Sequence, residues 1–205
     1  MPLSVTSCRP LGSASMNRDQ STGSGDLDAA TIIATLNRHG VHYVVIGALA
    51  AQLQGAPIPR TRDIDITPAS DDDNLLRLSA ALHELKARIR TADVPEGLPF
   101  DHDGASLSRA RIWNLTTPFG EFDLSFVPSG TEGYEDLARH AHLLESYGQL
   151  VPVADLDDVI RSKEAAGRPK DILHLPILLQ TSQRLRDHQK RGRDTEREIG
   201  PDFGF

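Results

Sequence analysis

Two aspartates one residue apart lie in the stretch RTRDIDITPASDDD, residues 60–73. Asp63 and Asp65 alternate with Ile64 and Ile66, and this period of two predicts a β-strand with one acidic and one apolar face. Residues two apart on a strand point to the same side, so the two carboxylates can bind one hard cation between them. The stretch indicates either a Mg²⁺ site suited to phosphoryl or nucleotidyl transfer or a solvated strand face.

A second predicted strand repeats the acidic pattern after the Pro-Phe-Gly turn at residues 118–120. Asp123 and Glu121 share one face of this strand, opposite an apolar face formed by Phe122, Leu124 and Phe126. If the two acidic strands are neighbours, one of these acids completes a set of three carboxylates. Both Asp123 and Glu121 remain candidates for the third carboxylate, and the alternative for either is an exposed acid at a strand edge.

A glycine turn precedes the acidic strand. The run VHYVVIG predicts a strand that ends at Gly47, and ALAAQLQG predicts a short helix that ends at Gly55. A helix that starts at such a turn offers backbone amides and a positive dipole end to a phosphate. Arg60 and Thr61 then stand directly before the acids. Each of these features is common, and their close succession strengthens the interpretation as a phosphate-handling site.

The remaining elements must position these residues. The apolar spacing predicts helices over residues 26–40 and 74–89, and the segment 92–108 is expected to be a loop. A further helix over residues 154–167 places Lys163 on the same stripe as its apolar residues, where a lysine is either a functional group or a snorkelling side chain. In the last helix Pro169 suits the first turn, whereas Pro176 is expected to kink or divide it.

Composition limits the classes of protein. The chain has 205 residues, of which 39% are hydrophobic and 25% charged, as in ordinary globular proteins. Its one cysteine, Cys8, excludes an intramolecular disulfide and a cysteine-based zinc cluster. The net charge of −7 argues against a surface that is basic everywhere and leaves room for a local basic groove. The sequence has neither a membrane-spanning apolar run nor a signal-peptide pattern, so we expect a cytoplasmic protein without membrane contact.

The chain divides into three parts. Residues 1–25 are rich in Ser, Gly and Thr and are expected to form a flexible leader. Residues 26–187 are expected to form one domain, whose C-terminal helical part begins at about residue 155, and residues 188–205 a charged tail. The expected fold class is α/β (α+β), with a small mixed β-sheet, flanking helices and C-terminal helices.

The segment VIGALAAQLQGAPIPRTRDIDI resembles the signature of the nucleotidyltransferase superfamily, the polymerase-β-like fold. Within that superfamily the chain is similar to the AbiEii/MenT toxins of bacterial toxin-antitoxin pairs. Their R-[ST]-x-D-x-D pattern is matched by Arg60, Thr61, Asp63 and Asp65. Their K-x-x-A-x-R-x-K-D segment is matched by Lys163, Ala166, Arg168, Lys170 and Asp171. The turn here is Gly47-Ala48 rather than Gly-Ser or Gly-Gly, so a phosphate contact at Ala48 can come only from the backbone.

The resemblance implies roles for these residues. Asp63, Asp65 and Asp123 would bind Mg²⁺, Lys163 would contact the nucleoside triphosphate, and Lys170 and Asp171 would support the site from the following helix. The implied reaction moves a nucleoside monophosphate, for example from CTP or another pyrimidine nucleotide, to the 3′ end of tRNA and so blocks translation. The implied regulator is a cognate antitoxin, which in some systems resembles a kinase and could phosphorylate Thr61.

Two alternatives remain beside the toxin. One is a small-molecule nucleotidyltransferase of the aminoglycoside-modifying kind, and the other is a catalytically silent module that only binds a partner. A tRNA acceptor requires a positive groove. Its candidate residues are Arg109, Arg111, Arg184, Arg186, Lys190, Arg191 and Arg193, although a run of charges is often only a solvated face.

Overall fold

The computed structural model describes residues 27–198, and for residue 189 and residues 192–198 it describes the backbone alone. The predicted leader, residues 1–25, and residues 199–205 of the predicted tail lie outside the described residues. Within the described part of the chain, no helix is both long enough and apolar enough to cross a membrane.

The described chain alternates helices and strands. The helices are α1 (Ala29–Arg38), α2 (Gly47–Leu53), α3 (Asp72–Glu84), α4 (Gly104–Leu107), α5 (Tyr134–Ala138), α6 (Leu156–Ala166) and α7 (Pro169–Glu198). The strands are β1 (Tyr43–Ile46), β2 (Asp63–Pro68), β3 (Arg88–Ile89), β4 (Ile112–Thr117), β5 (Gly120–Ser125), β6 (His142–Ser146) and β7 (Gln149–Val153). The strands form one sheet in the order β3-β4-β5-β2-β1-β7-β6.

The sheet is mixed, as the sequence predicts. Strand β2 lies antiparallel to β1 and parallel to β5, and β7 lies parallel to β1. In this register Asp65 pairs with Ile46 on β1 and with Asp123 on β5. The central strands therefore bring the glycine turn and both acidic strands to one place.

The period of two in β2 decides which face of the sheet is buried. Ile64 and Ile66 are fully buried, whereas Asp63 and Asp65 on the opposite face are only partly buried. The apolar faces of β2 and β5 belong to one core cluster with the leucine and isoleucine stripes of α1 and α3. Burial of these large aliphatic side chains, each worth about 1.5–3 kcal/mol, fixes the register and hence the side on which the acids lie.

Several boundaries differ from the sequence prediction. Helix α3 ends at Glu84 rather than at residue 89, because Lys86 adopts a left-handed conformation (φ 52°) and Arg88–Ile89 pair with β4. The segment 92–108, expected to be a loop, contains α4, which Asp103 and Ser106 cap at its N-terminus. The elements α5, β6 and β7 were not predicted at all.

Helix α7 is not divided at Pro176, contrary to one of the expected outcomes, and it continues through residues 188–198 of the predicted tail. Side chains on both sides of the proline anchor it to α6. Before the proline, Asp171 contacts Lys163, and after it Ser182 and Arg186 contact Asp157. A proline removes one helical hydrogen bond, and these contacts hold the flanking turns in line.

We predict that Asn74→Ala destabilises the junction between β1 and β2. The fully buried Asn74 side chain accepts from the His42 amide (2.7 Å) and donates to the carbonyls of His42 (2.9 Å) and Ala69 (2.8 Å). Its removal takes away the partner of the His42 amide and of the Ala69 carbonyl, whereas the His42 carbonyl still accepts from the Ala69 amide, so the free energy of unfolding should fall by on the order of 2–4 kcal/mol. Urea unfolding measures this, with exposed Asp73→Ala as a control expected to change stability by less than about 0.5 kcal/mol. Equal stability of both variants would contradict the prediction.

Candidate active site

The glycine turn lies against one of the acids. Gly47 begins α2 directly after β1 and has a φ of +68°, a conformation that favours glycine. A Cβ at this position would stand 2.3 Å from Oδ2 of Asp65. Glycine is therefore required twice here, once by the backbone turn and once by the carboxylate. Ala48, the next residue, is partly buried and packs against the core.

Three of the predicted acids come together on the open face of the sheet. Asp63, Asp65 and Asp123 each offer a carboxylate oxygen, and these oxygens lie within 4.8 Å of one another. Glu121 pairs with Asp63 across β2 and β5, but its side chain is half exposed and contacts Arg90 instead of joining this group. The geometry thus favours Asp123 over Glu121 as the third carboxylate.

The crowding of carboxylates opposes their ionisation. Burial, followed by the charges of Asp63 and Asp123, raises the pKa of Asp65 to about 7, while Lys163 and Lys170 act in the opposite direction. Burial also raises the pKa of Asp123. A divalent cation would relieve this repulsion, and the oxygen-only donor set is what Mg²⁺ prefers. The residues present therefore fit the metal that the sequence implies.

Lys163 stands where the apolar stripe of α6 places it. It is 8% exposed, lines the same cleft as Asp65, and donates to Oδ1 of Asp171 at 2.7 Å. Asp171, fully buried, also accepts from Nε of Arg168. Although burial raises the pKa of Asp171, the hydrogen bonds from Lys163 and Arg168 hold it below the ordinary value. Asp171 thus holds two cations at the cleft, and Lys170 lies exposed beside it.

Arg60 and Thr61 occupy the approach to β2. Thr61 Oγ1 donates a hydrogen bond to Oδ1 of Asp63, whereas Arg60 is exposed. Thr61 thus contacts one of the three acids directly, and the structure shows no comparable contact for Arg60 among the described residues.

Sequence reasoning missed Arg90. Its guanidinium donates to Oε2 of Glu121 at 2.5 Å and to Oδ2 of Asp123 at 2.8 Å. Burial has the larger effect and raises the pKa of Asp123, and Arg90 offsets part of this rise. The predicted helix extends to residue 89, so no strand was expected directly before Arg90. Only the pairing of β3 with β4 brings this side chain over the acids.

Asp65 and Asp123 border a cleft of about 340 Å³. Its lining includes Gly47, Asp65 and Asp123 at the sheet, and Ser162, Lys163 and Arg168 from α6 and the turn that follows it. Carboxylates for a cation and two cations for phosphates therefore meet in one space, which is the combination that nucleotidyl transfer uses.

The predicted basic residues fall in two parts of the chain. Arg109 and Arg111 are exposed directly before β4. The others lie on α7, where Arg184, Lys190 and Arg191 are exposed and Arg186 is paired with Asp157. The side chain of Arg193 lies outside the described residues. A basic groove for tRNA stays a prediction.

Comparison with known proteins supports the fold. No protein-family model and no curated protein sequence matches the chain. The lincomycin-bound structure of the lincosamide antibiotic adenylyltransferase LnuA matches with a TM-score of 0.51 at 12% identity, over 75% of this chain and 98% of that chain. ANT(2″)-Ia in complex with adenylyl-2″-tobramycin gives 0.48 at 15% identity, over 82% and 95% of the two chains. A protein from Thermotoga maritima gives 0.45 at 19% identity, over 78% and 89%. The similarity to LnuA confirms the expected nucleotidyltransferase fold.

We predict that Gly47→Ala disrupts the metal site. The new methyl group would displace the Asp65 carboxylate, so Mn²⁺ affinity measured by calorimetry should fall at least about tenfold, as it does when the orientation of a metal ligand is lost. Gly55→Ala is the matched control, because Gly55 also has a positive φ (+85°) and no atom lies within 4 Å of its added Cβ. It should lose about 1–2 kcal/mol of stability and bind Mn²⁺ normally. Equal loss of affinity in both variants would show that backbone strain alone is responsible.

We also predict that Asp65→Asn stabilises the metal-free protein at alkaline pH. The folded pKa of about 7 lies above the ordinary 3.8, so the wild type loses stability as the pH rises through this window, and the uncharged variant does not. The variant should gain on the order of 2–4 kcal/mol at pH 8 and progressively less as the pH falls from 7 towards 4.

Urea unfolding in EDTA at pH 8 and pH 5 measures this difference. The exposed Asp72→Asn serves as the control. A variant that is no more stable than the wild type at pH 8 would contradict the electrostatic account of the site.

Proposed function

We propose that the protein is a metal-dependent nucleotidyltransferase that transfers a nucleoside monophosphate from a nucleoside triphosphate to the 3′ end of tRNA. The observation that carries the enzymatic part is the meeting of Asp63, Asp65 and Asp123 within 4.8 Å of one another, beside a cleft that also contains Lys163. A solvated strand face gives no reason for three partly buried acids to crowd in this way, because their mutual repulsion is costly.

In the proposed reaction each residue has a defined task. Asp63, Asp65 and Asp123 would hold Mg²⁺, which supplies charge neutralisation for the triphosphate when bound. Lys163 and Arg168 contact the phosphates, and Asp171 keeps both cations in place. The acceptor hydroxyl oxygen forms a bond to the α-phosphorus, the bond to the bridging oxygen breaks, pyrophosphate leaves, and the hydroxyl proton passes to water.

The proposal that tRNA is the acceptor rests on the toxin-like motifs. Both segments of that resemblance, residues 60–65 and 163–171, meet at the cleft, since Asp65 and Lys163 line it together. Exposed Arg109 and Arg111 precede β4, another strand whose residues line the cleft, and could contact RNA phosphates. Such an enzyme would block translation in the cytoplasm and would need a cognate antitoxin.

Regulation through Thr61 is part of the same proposal. Thr61 already hydrogen-bonds Asp63. A phosphate on Thr61 would add a charge of about −1.5 to −2 beside the acids and would oppose nucleotide binding. Intact mass of the protein co-expressed with the product of the adjacent gene tests this, and an unmodified Thr61 would count against a kinase-like antitoxin.

A small-molecule acceptor is the second candidate. LnuA is a lincosamide antibiotic adenylyltransferase, and the chain shares its fold. At 12% identity this likeness extends to the fold alone, and the same carboxylates could serve either acceptor. A catalytically silent module is less well supported, because each of the three acids is in place.

The test is incubation of the purified protein with Mg²⁺, total tRNA and each of the four α-³²P nucleoside triphosphates in turn. We expect label on tRNA from one or more nucleotides, a loss of at least about 10³-fold in Asp65→Asn, and normal labelling in exposed Asp73→Asn. Asp65→Asn is a sharp control because it should be folded and more stable at pH 8.

A parallel reaction replaces tRNA with lincomycin or tobramycin. Label on the antibiotic and none on tRNA would overturn the tRNA assignment in favour of the second candidate. Absence of label with every acceptor would contradict the proposed activity.

A further inference from the structure

The polar face of the sheet continues past the three acids onto β4. Asn114 pairs with Asp123, and Ile112 pairs with Ser125, which lies two residues further along β5. Both Ile112 and Asn114 line the cleft that contains Asp65 and Asp123. The alternation of β4 thus directs these two side chains to the same side as the acids.

These two residues are not explained by folding. Their strand neighbours Trp113 and Leu115 face the core side, where Trp113 stacks on Phe100 at 5.4 Å between ring centroids and Leu115 is fully buried. Ile112 is 56% exposed, a large aliphatic side chain presented to solvent at the cleft. The side-chain amide of Asn114 has no hydrogen-bond partner among the described residues. An apolar surface and an unused amide therefore stand side by side.

The sheet order places them opposite the groups suited to the triphosphate. Gly47 follows β1, on one side of β2, whereas β4 lies beyond β5, on the other side. Lys163 belongs to α6, which packs against α2 and so lies with Gly47. Displacement at phosphorus is in line, so the attacking hydroxyl arrives on the side away from the leaving pyrophosphate. With the phosphates at Gly47 and Lys163, the acceptor comes from the β4 side.

The charge of this surface selects among acceptors. Arg90 pairs with Glu121 at 2.5 Å and with Asp123 at 2.8 Å, so Glu121, the acid on this face of β5 that is not needed for a metal, already has a cationic partner. A polycationic amino sugar at β4 would find Glu121 and Asp123 already paired with Arg90, and Arg90 would repel it. An RNA end instead offers a base that can pack on Ile112 and hydrogen-bond to Asn114, and its phosphates tolerate a nearby arginine.

We propose that Ile112 and Asn114 form the acceptor platform of the enzyme and contact the terminal base of a single-stranded RNA 3′ end. Ile112 supplies the apolar surface, Asn114 reads the edge of the base, and Arg90 pairs with the carboxylates of Glu121 and Asp123 beside the platform. The inference rests on the proposed function and assigns its acceptor side.

Thiol protection tests the position of the platform without turnover. Cys8→Ser removes the single native cysteine, and Ile112→Cys or Ser162→Cys then introduces one reporter. Ser162 lines the cleft on α6 beside Lys163, so an α,β-methylene nucleoside triphosphate with Mg²⁺ should slow maleimide labelling at residue 162 and leave residue 112 reactive. Addition of total tRNA should then protect residue 112. Protection of residue 112 by the nucleotide alone would overturn the assignment.

Steady-state kinetics test the contacts. Ile112→Ser and Asn114→Ala should each raise KM for tRNA about tenfold and leave KM for the nucleotide and Mn²⁺ affinity unchanged. Leu150→Ser is the matched control, since Leu150 is a similarly exposed aliphatic residue (62%) on β7, far along the sheet from β4. A rise confined to the nucleotide KM, or an equal change in Leu150→Ser, would overturn the platform.

Labelling of the acceptors by the wild-type protein tests the proposed function separately from the platform. If the wild type labels tobramycin and not tRNA, and tobramycin protects residue 112, the RNA acceptor is overturned. If the wild type labels tRNA and tRNA leaves residue 112 reactive, the function stands and the platform is overturned.

Discussion

Three carboxylates held close together are the constraint on which the site depends. Asp63, Asp65 and Asp123 repel one another, and nothing in their own chemistry keeps them within 4.8 Å. The core does so from the other face of the sheet, where Ile64, Ile66 and the apolar side of β5 are buried. The parallel pairing of β2 with β5 then sets Asp65 opposite Asp123. The raised pKa of Asp65, to about 7, expresses the electrostatic cost of this arrangement.

Cations around the site limit that cost in two different ways. Arg90 lies directly on Asp123 and Glu121, so it compensates charge at the edge of the acidic group. Lys163 makes its ion pair with buried Asp171 rather than with the three acids, so it keeps its place without filling the space between them. This separation leaves room for a cation at the acids and for phosphates at the lysine. Such sites commonly sacrifice stability for function.

The sequence predicted what local chemistry and period decide. Alternation located β2 and β5 with their acids, the glycine marked the turn after β1, and helical spacing placed Lys163 on the stripe that packs inward. It did not predict what depends on pairing between distant strands. Arg90 directly follows the two-residue strand β3, which exists only through its pairing with β4, and the signals for β6 and β7 are short and surround a Tyr-Gly turn. Pro176 predicted a kink or break in the last helix, because local propensity does not include the contacts that anchor α7 to α6.

The acceptor cannot be inferred from the acids, because every nucleotidyl transfer to a hydroxyl makes the same demand on them. The fold shared with LnuA at 12% identity does not identify the acceptor either, since one fold accommodates many acceptors. Discrimination must lie in the groups that border the reacting phosphorus without taking part in the reaction. In our proposal those groups lie on the β4 side of the acids, where Arg90, directly after β3, pairs with Glu121 of β5, and Ile112 of β4 adds apolar surface. A partly apolar surface whose carboxylates are already paired with Arg90 fits a nucleobase better than a polyamine, which is the physical basis for favouring an RNA acceptor.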